Sequence, residues 1–156
     1  MKTIAIPKGS RLQNKGDINS KVYMVDSGLL RAYSIDEKGK EHIFLFAPEG
    51  WIVADNVDSE TPCELYIDAL EDATVSVFSK DTGQDRLDSN QILRRLGVLQ
   101  KRVIMLMSAT ALERYQHFVE TYPKITQRVP QRMIASYLGI TPEALSKVKS
   151  EWVSNR

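Results

Sequence analysis

The stretch QRMIASYLGITPEALSKVKS, residues 131–150, predicts two short helices joined by a tight turn. Apolar residues three and four positions apart, ending with Leu138, share one face of the first helix. Gly139 follows directly, and because it lacks a Cβ atom it tolerates the left-handed conformation that ends a helix and turns the chain. Thr141 is the expected N-cap of the second helix, and Pro142 suits the first helical position, where a backbone N–H would have no partner.

The second helix has an apolar edge and a polar face. Leu145 and Val148 form the edge that we expect to pack on the first helix, where Ala135 is small enough for a close crossing. In a DNA-binding helix-turn-helix the second helix enters the major groove, where Glu143 would accept from cytosine N4 and Lys147 would donate to guanine. The residues expected to contact DNA are Thr141, Glu143, Ser146, Lys147, Lys149, Ser150 and Arg132. Helix pairs with a tight corner also occur in other α-helical proteins, but the agreement at every packing position favours the DNA-binding motif.

The C-terminal part of the chain is basic, although the 156-residue chain has a net charge of only +1. Residues 124–156 contain six Lys or Arg against two Glu, which gives +4 and leaves −3 for the remainder. A basic end on an acidic body is typical of a phosphate-contacting module carried by a domain that does not touch DNA.

The residues needed for metal or catalytic chemistry are scarce. The single cysteine, Cys63, excludes an internal disulfide and a site built from four thiolates. A metal-dependent enzyme on a jelly roll would need clustered histidine and carboxylate ligands, whereas His42 and His117 are isolated. No nucleophile elbow or phosphate loop is present. We therefore predict a protein that is not an enzyme and that has neither a metal site nor a cofactor.

No segment of the sequence has the pattern of a membrane span. The longest apolar run, residues 103–112, is too short and too interrupted, and no secretory signal is visible. We expect a cytoplasmic protein without a membrane partner.

The first eighty residues alternate short β-prone runs with glycine-containing turns. The predicted strands are Lys2–Ile6, Val22–Val25, Leu29–Ile35, His42–Phe46, Tyr66–Ala69 and Thr74–Phe78. Regular spacing of short strands and turns predicts a sandwich or a jelly-roll barrel.

Beyond residue 81 the pattern becomes helical. Six residues recur with alternating spacings of four and three, as in the seam of a coiled coil. They are Ile92, Leu96, Leu99, Val103, Leu106 and Thr110. Ile104, Met105 and Met107 add apolar surface that we expect to pack on the barrel. The interpretation we favour is a dimerisation helix, and the alternative is a core helix within one subunit.

A β barrel, a long apolar helix and a C-terminal helix-turn-helix occur in this order in the cyclic-AMP receptor protein/Fnr family of transcriptional regulators, which the chain resembles over nearly its whole length. The motifs that carry the resemblance are Lys8-Gly9, Lys15-Gly16-Asp17, Val22-Tyr23-Met24-Val25, Ser27-Gly28, Arg31-Ala32-Tyr33, Gly39-Lys40-Glu41, Glu113-Arg114-Tyr115, Arg128-Val129-Pro130-Gln131 and the run from Ile134 to Glu143. The resemblance implies an α+β fold with a cyclic nucleotide-binding-like jelly-roll sensor domain at 1–84, a dimerisation helix at 85–112 and a helix-turn-helix DNA-binding domain at 113–156.

The resemblance also implies partners. It predicts a homodimer on a two-fold symmetric double-stranded DNA site, with recognition helices about 34 Å apart, and admits RNA polymerase as a further partner. Pro142 stands where well-known relatives have an arginine, and Lys147 matches their guanine-reading arginine. The base preference of those relatives therefore does not transfer to this chain.

The segment that matches the family's phosphate-binding cassette, residues 50–69, departs from the cyclic-nucleotide pattern. It contains no Lys or Arg, and its five acids are Asp55, Asp58, Glu60, Glu64 and Asp68. Because a buried phosphodiester needs a cation or several donors, we predict that cyclic AMP is not the effector. A metal held by the first three acids is an alternative, but their spacing favours a solvated acidic loop.

The sequence is consistent with two functions. The first is a sequence-specific DNA-binding transcriptional regulator that acts as a homodimer. The alternative is a dimeric ligand-binding or protein-interaction module with a vestigial helix-turn-helix, which the weak basicity of the second helix leaves open. The salt dependence of duplex DNA binding separates them, because phosphate contacts release counterions.

Overall fold

The computed structural model describes residues 2–80 and 89–154, without the side chains of residues 89, 91 and 92. The expected end of the barrel and start of the long helix, residues 81–88, lie outside the described residues, as does the side chain of Ile92. The chain divides into two compact units, residues 1–86 and residues 87–156.

The first unit consists of two antiparallel four-stranded sheets. Its strands are β1 Lys2–Ile6, β2 Arg11–Gln13, β3 Lys21–Ser27, β4 Leu30–Ile35, β5 Glu41–Ala47, β6 Ile52–Val53, β7 Tyr66–Ala69 and β8 Ala73–Ser79. One sheet has the order β1-β8-β3-β6 and the other β2-β7-β4-β5. The six predicted strands are confirmed, and β2 and β6 are additions of only three and two residues.

The core of this unit is formed by alternate residues of the strands. In β4, Leu30 and Ala32 lie opposite Ala69 and Ile67 of β7, and all four are buried. Val75 of β8 is buried in the same cluster. Burial of these apolar surfaces stabilises the unit by roughly 25 cal/mol per Å² removed from water.

Arg31, between two of these core residues, is buried in an ion network. Its Nε and Nη2 donate to the two carboxylate oxygens of Asp68 at 2.7 and 3.0 Å, and its Nη1 donates to Glu41 at 2.6 Å. The guanidinium also lies 4.0 Å from the centre of the Tyr33 ring. Burial by itself lowers the pKa of Arg31, but the hydrogen bonds to Asp68 and Glu41 more than offset it and raise the pKa above its ordinary value. The guanidinium is therefore bound by residues of its own sheet.

The second unit is helical. Its helices are α1 Ser89–Ser108, α2 Ala111–Thr121, α3 Gln131–Leu138 and α4 Pro142–Ser154, with a short 3-10 helix at Ile125–Gln127. An aromatic cluster joins α2 to α3, because the rings of Phe118, Tyr122 and Tyr137 have centroids 5.4–5.5 Å apart. All three side chains are buried.

The long helix ends earlier than the sequence predicts. We expected it to run to residue 112, but α1 stops at Ser108 and a new helix starts at Ala111. Thr110, predicted as the last seam residue, is instead the N-cap of α2: its Oγ1 accepts from the Glu113 backbone N–H, and the Glu113 carboxylate accepts from the Thr110 N–H at 2.7 Å. A reciprocal cap of this kind starts a helix, which is why the seam cannot continue through Thr110.

This cap makes a pH-dependent contribution to stability. The hydrogen bonds from the Thr110 backbone and hydroxyl hold the pKa of Glu113 below its ordinary value. The stabilisation is therefore fully present above the ordinary glutamate pKa, about 4.3, and is lost as the pH falls through the lower folded-state value. We expect the difference in unfolding free energy between wild type and Glu113→Gln to shrink between about pH 7 and pH 3, measured by urea denaturation. A difference that stays constant over this range would contradict the role of the Glu113 charge.

Candidate nucleic-acid interface

The turn between α3 and α4 has the predicted geometry. Gly139 adopts φ 66° and ψ 33°, the left-handed conformation, and caps α3 with its backbone N–H on the carbonyls of Ala135 and Ser136. The Thr141 Oγ1 accepts from the Ala144 backbone N–H at 3.2 Å, so Thr141 is the N-cap of α4 and Pro142 its first residue.

The inner faces of the two helices pack as expected. Leu145 and Val148 of α4 are buried, as are Ile134, Ala135 and Leu138 of α3. This leaves α4 with a fixed apolar side and an opposite side directed to solvent.

The solvent side of α4 carries most of the predicted DNA contacts. Glu143, Ser146, Lys147 and Ser150 are exposed and lie within a single face at 100° per residue. Thr141, at the entry to the helix, and Arg132, in the first turn of α3, are exposed as well.

Lys149 occupies a different position from Lys147. It is half-buried on the flank of α4, about 160° around the helix from Lys147. The two lysines therefore project from different sides of α4.

The two serines on the solvent side of α4 donate their hydroxyl protons to the helix backbone. The Ser146 hydroxyl donates to the Pro142 carbonyl at 3.1 Å, and the Ser150 hydroxyl donates to the Ser146 carbonyl at 3.2 Å. In this arrangement each serine oxygen presents lone pairs to solvent. Together with the Glu143 carboxylate they make a face rich in acceptors, with Lys147 as its donor.

The predicted seam of α1 is an exposed apolar face. Leu96 and Val103 are each 55% exposed, Leu106 is also exposed, and Leu99 is half-buried. This degree of exposure is unusual for contiguous apolar side chains on a soluble surface and is typical of an interaction site.

The apolar face of α1 is wider than the sequence predicts. We assigned Ile104, Met105 and Met107 to a second buried face, but only Met105 is buried, and Met107 is 80% exposed. Ile104, Met107 and the unpredicted Leu93 instead extend the seam. Counting along the helix at 100° per residue, rather than by heptads, would have placed these three beside Leu96 and Val103.

The cassette segment holds its acidic residues in internal hydrogen bonds. The buried Asp55 carboxylate accepts from the backbone N–H groups of Glu64 and Leu65 at 2.8 Å each. Asp58 accepts from Thr61 and Glu60, and the hydrogen bonds from Thr61 lower the pKa of its carboxyl group. Both carboxylates shape the loop.

Arg31 and Lys80 are among the described cations that reach the segment from outside, and both are engaged. Arg31 binds the Asp68 carboxylate, and the Lys80 ammonium donates to the Asp55 carbonyl at 2.8 Å and also to the Val57 carbonyl and the Ser20 hydroxyl. A cyclic nucleotide phosphate requires a cation or several donors directed at it. Arg31 and Lys80 thus donate to groups of the protein itself.

The described residues include no group of three or more His, Cys, Asp or Glu side chains placed to hold a metal ion. Cys63 is buried, and burial raises the pKa of its thiol.

Within the described ranges no helix has the length and apolar character needed to cross a membrane.

Solved structures share this fold. FixK2 from Bradyrhizobium japonicum superposes with a TM-score of 0.77 at 21% identity, over 99% of this chain and 85% of that one. A transcriptional regulator of the CRP/FNR family from Thermus thermophilus gives 0.74 at 15% identity, over 99% of this chain and 87% of its own. The α+β fold with a cyclic nucleotide-binding-like barrel and a C-terminal helical unit is thereby confirmed.

Two groups of regulators are similar in sequence. The nitrogen fixation regulation protein FixK of Rhizobium meliloti is 24% identical over 149 residues, covering 90% of this chain and 70% of FixK. The fumarate and nitrate reduction regulatory protein of Escherichia coli is 25% identical over 170 residues, covering 92% of this chain and 65% of that protein. The chain thus spans about two thirds of the length of these relatives.

The family model for the cyclic nucleotide-binding domain matches residues 3–90, more than half of the chain. The matched relatives are transcriptional regulators, and the chain is likewise a regulator rather than an enzyme. On the match, the fold and these relatives together, the chain belongs to the cyclic nucleotide-binding domain proteins and, among them, to the CRP/Fnr family of transcriptional regulators.

Proposed function

We propose that this regulator binds double-stranded DNA sequence-specifically as a homodimer on a two-fold symmetric site. The observation that carries the proposal is α4: its inner face is buried against α2 and α3, while Glu143, Ser146 and Lys147 face solvent from its first two turns. Those turns are the part of a recognition helix that meets base edges in the major groove.

The partner proposed for the apolar face of α1 is a second copy of the chain. The 20 residues of α1 extend about 30 Å, and the face formed by Leu96, Val103 and Met107 follows its length. Two such faces pack against each other about a two-fold axis, because an isologous contact uses the same residues on both sides. The axis then relates two recognition helices, which suits a symmetric operator.

The proposed regulator is cytoplasmic and is not controlled by cyclic AMP. The engagement of Arg31 by Asp68 and of Lys80 by backbone carbonyls supports the second point, since neither cation is directed at a ligand phosphate. RNA polymerase is a further partner that the family relationship supports.

Lys147→Ala tests the reading of bases. If Lys147 donates to a guanine edge, the variant loses ~1–3 kcal/mol at one base pair of each half-site and tolerates substitutions there, while its affinity for unrelated duplexes hardly changes. The measurement is a competition assay of wild type and variant on operators substituted one base pair at a time, starting from an operator selected by the wild type from random duplexes.

Lys149→Ala is the matched control, because Lys149 lies on the flank of the same helix. It should weaken binding to all sequences about equally and reduce the slope of affinity against salt by about one unit per site. A uniform loss for Lys147→Ala as well would make Lys147 a phosphate contact and remove it from the base-reading set.

A further inference from the structure

The guanidinium of Arg114, in the first turn of α2, joins three chain segments. Its Nε donates to the Ala109 carbonyl at 3.1 Å, its Nη2 to the Leu106 carbonyl at 3.0 Å, and its Nη1 to the Leu138 carbonyl at 3.1 Å. Leu106 belongs to the last turn of α1, and Leu138 is the last residue of α3. One side chain therefore ties the end of the proposed dimerisation helix to the end of the first helix of the helix-turn-helix.

The chemistry of the three acceptors explains why an arginine occupies this position. The last carbonyls of a helix have no intrahelical partner, and they carry the negative end of the helix dipole. Two helix C-termini, those of α1 and α3, converge on Arg114. The planar guanidinium donates in several fixed directions at once, whereas a lysine ammonium is a compact point charge.

A second arginine makes a parallel connection one residue earlier in α3. The Arg102 guanidinium, on α1, lies 3.9 Å from the centre of the Tyr137 ring, and its Nη2 donates to the Tyr137 carbonyl at 3.1 Å. Tyr137 is itself held in the aromatic cluster with Phe118 and Tyr122. Arg102 and Arg114 thus both connect α1 to the C-terminal end of α3.

The turn of the helix-turn-helix lies directly against this junction. A Cβ atom built on Gly139 would be 3.6 Å from the Arg114 Nη1 and 3.7 Å from a methyl carbon of Leu106. Gly139, from which the chain leads into α4, therefore lies beside the Arg114 guanidinium.

We propose that Arg114, assisted by Arg102, is a positioning residue that fixes the recognition helix relative to the dimerisation helix and so sets the half-site spacing that the dimer accepts. The inference rests on the proposed function, a dimer that binds a two-half-site operator. Binding the second half-site is then an intramolecular event, which contributes only when the geometry lets both helices engage at once. Loosening the junction lowers this contribution and leaves each single half-site contact intact.

The test measures binding against operator spacing. Wild type, Arg114→Met and Arg114→Lys are titrated onto operators whose central spacer is lengthened or shortened by single base pairs, and onto a duplex with only one half-site. We expect a sharp optimum for wild type, and for both variants a loss of about tenfold or more at that optimum with a broader profile. Half-site affinity should change by less than about twofold, since no reading residue is altered.

Arg94→Met is the matched control, because Arg94 is an exposed arginine on the same helix. It should keep the wild-type profile. Circular dichroism and sedimentation establish that each variant is folded and dimeric, and Arg114→Lys decides the question if Arg114→Met does not fold. Variants that bind with the wild-type optimum and width overturn the role of the junction, whereas a wild type that binds no duplex overturns the proposed function and the junction's role with it.

Discussion

Val103→Glu is expected to convert the protein from a dimer into a monomer. Val103 is 55% exposed in the C-terminal half of α1, so the substitution disturbs little of the packing within one chain. In the proposed dimer the same position faces its symmetry mate. Two carboxylates would then be desolvated side by side, which costs several kcal/mol per ion without a compensating partner.

The loss of the dimer is measured by sedimentation equilibrium over a range of concentrations. Wild type should sediment at about twice 17.7 kDa and Val103→Glu at 17.7 kDa. Operator affinity should fall by roughly 10²–10⁴, because the two half-sites are no longer linked. Arg94→Glu, a charge change at an exposed position outside the apolar face of α1, should stay dimeric. A Val103→Glu protein that remains a dimer would remove α1 from the dimer interface.

The helix-turn-helix could be predicted from the sequence because its signals are local. Gly139 alone supplies the left-handed residue that the turn requires, and Thr141 and Pro142 start the next helix within three residues. The buried faces of both helices follow from spacings of three and four. None of these signals depends on a residue far away in the sequence.

The end of α1 was predicted wrongly although a signal was present. The seam spacing of Leu106 and Thr110 continues the helical pattern, and it concealed the cap that Thr110 forms with Glu113. A threonine followed three residues later by a glutamate is a helix-start signature. Periodicity shows which face a residue occupies, but it does not show where one helix stops and the next begins.

The contacts that join distant segments could not be predicted from the sequence. The match of Arg31 with Asp68 depends on the register between β4 and β7, and the three acceptors of Arg114 are backbone carbonyls that any sequence would supply. The family resemblance places Arg114 in a shared motif without giving its contacts. Only the fold brings these groups within hydrogen-bond distance.

The second large expected effect is the fall in DNA affinity as the salt concentration rises. Each phosphate neutralised by a lysine or arginine releases condensed counterions, so affinity falls with a slope of about −0.9 per contact on a log–log plot. We expect Arg132 and Lys149 to be among the cations that contact phosphates. They belong to a C-terminal segment whose net charge is +4. With about three such contacts per protomer the dimer makes about six, and affinity should fall roughly 10³-fold between 50 and 200 mM salt.

The most direct test of a dimeric DNA-binding regulator is therefore the affinity of the wild-type protein for a symmetric duplex, measured by fluorescence anisotropy across this salt range. We expect one dimer per duplex and a steep fall in affinity as salt increases. Binding that is absent, or that does not change with salt, would contradict the account and would favour a dimeric ligand-binding or protein-interaction module with a vestigial helix-turn-helix.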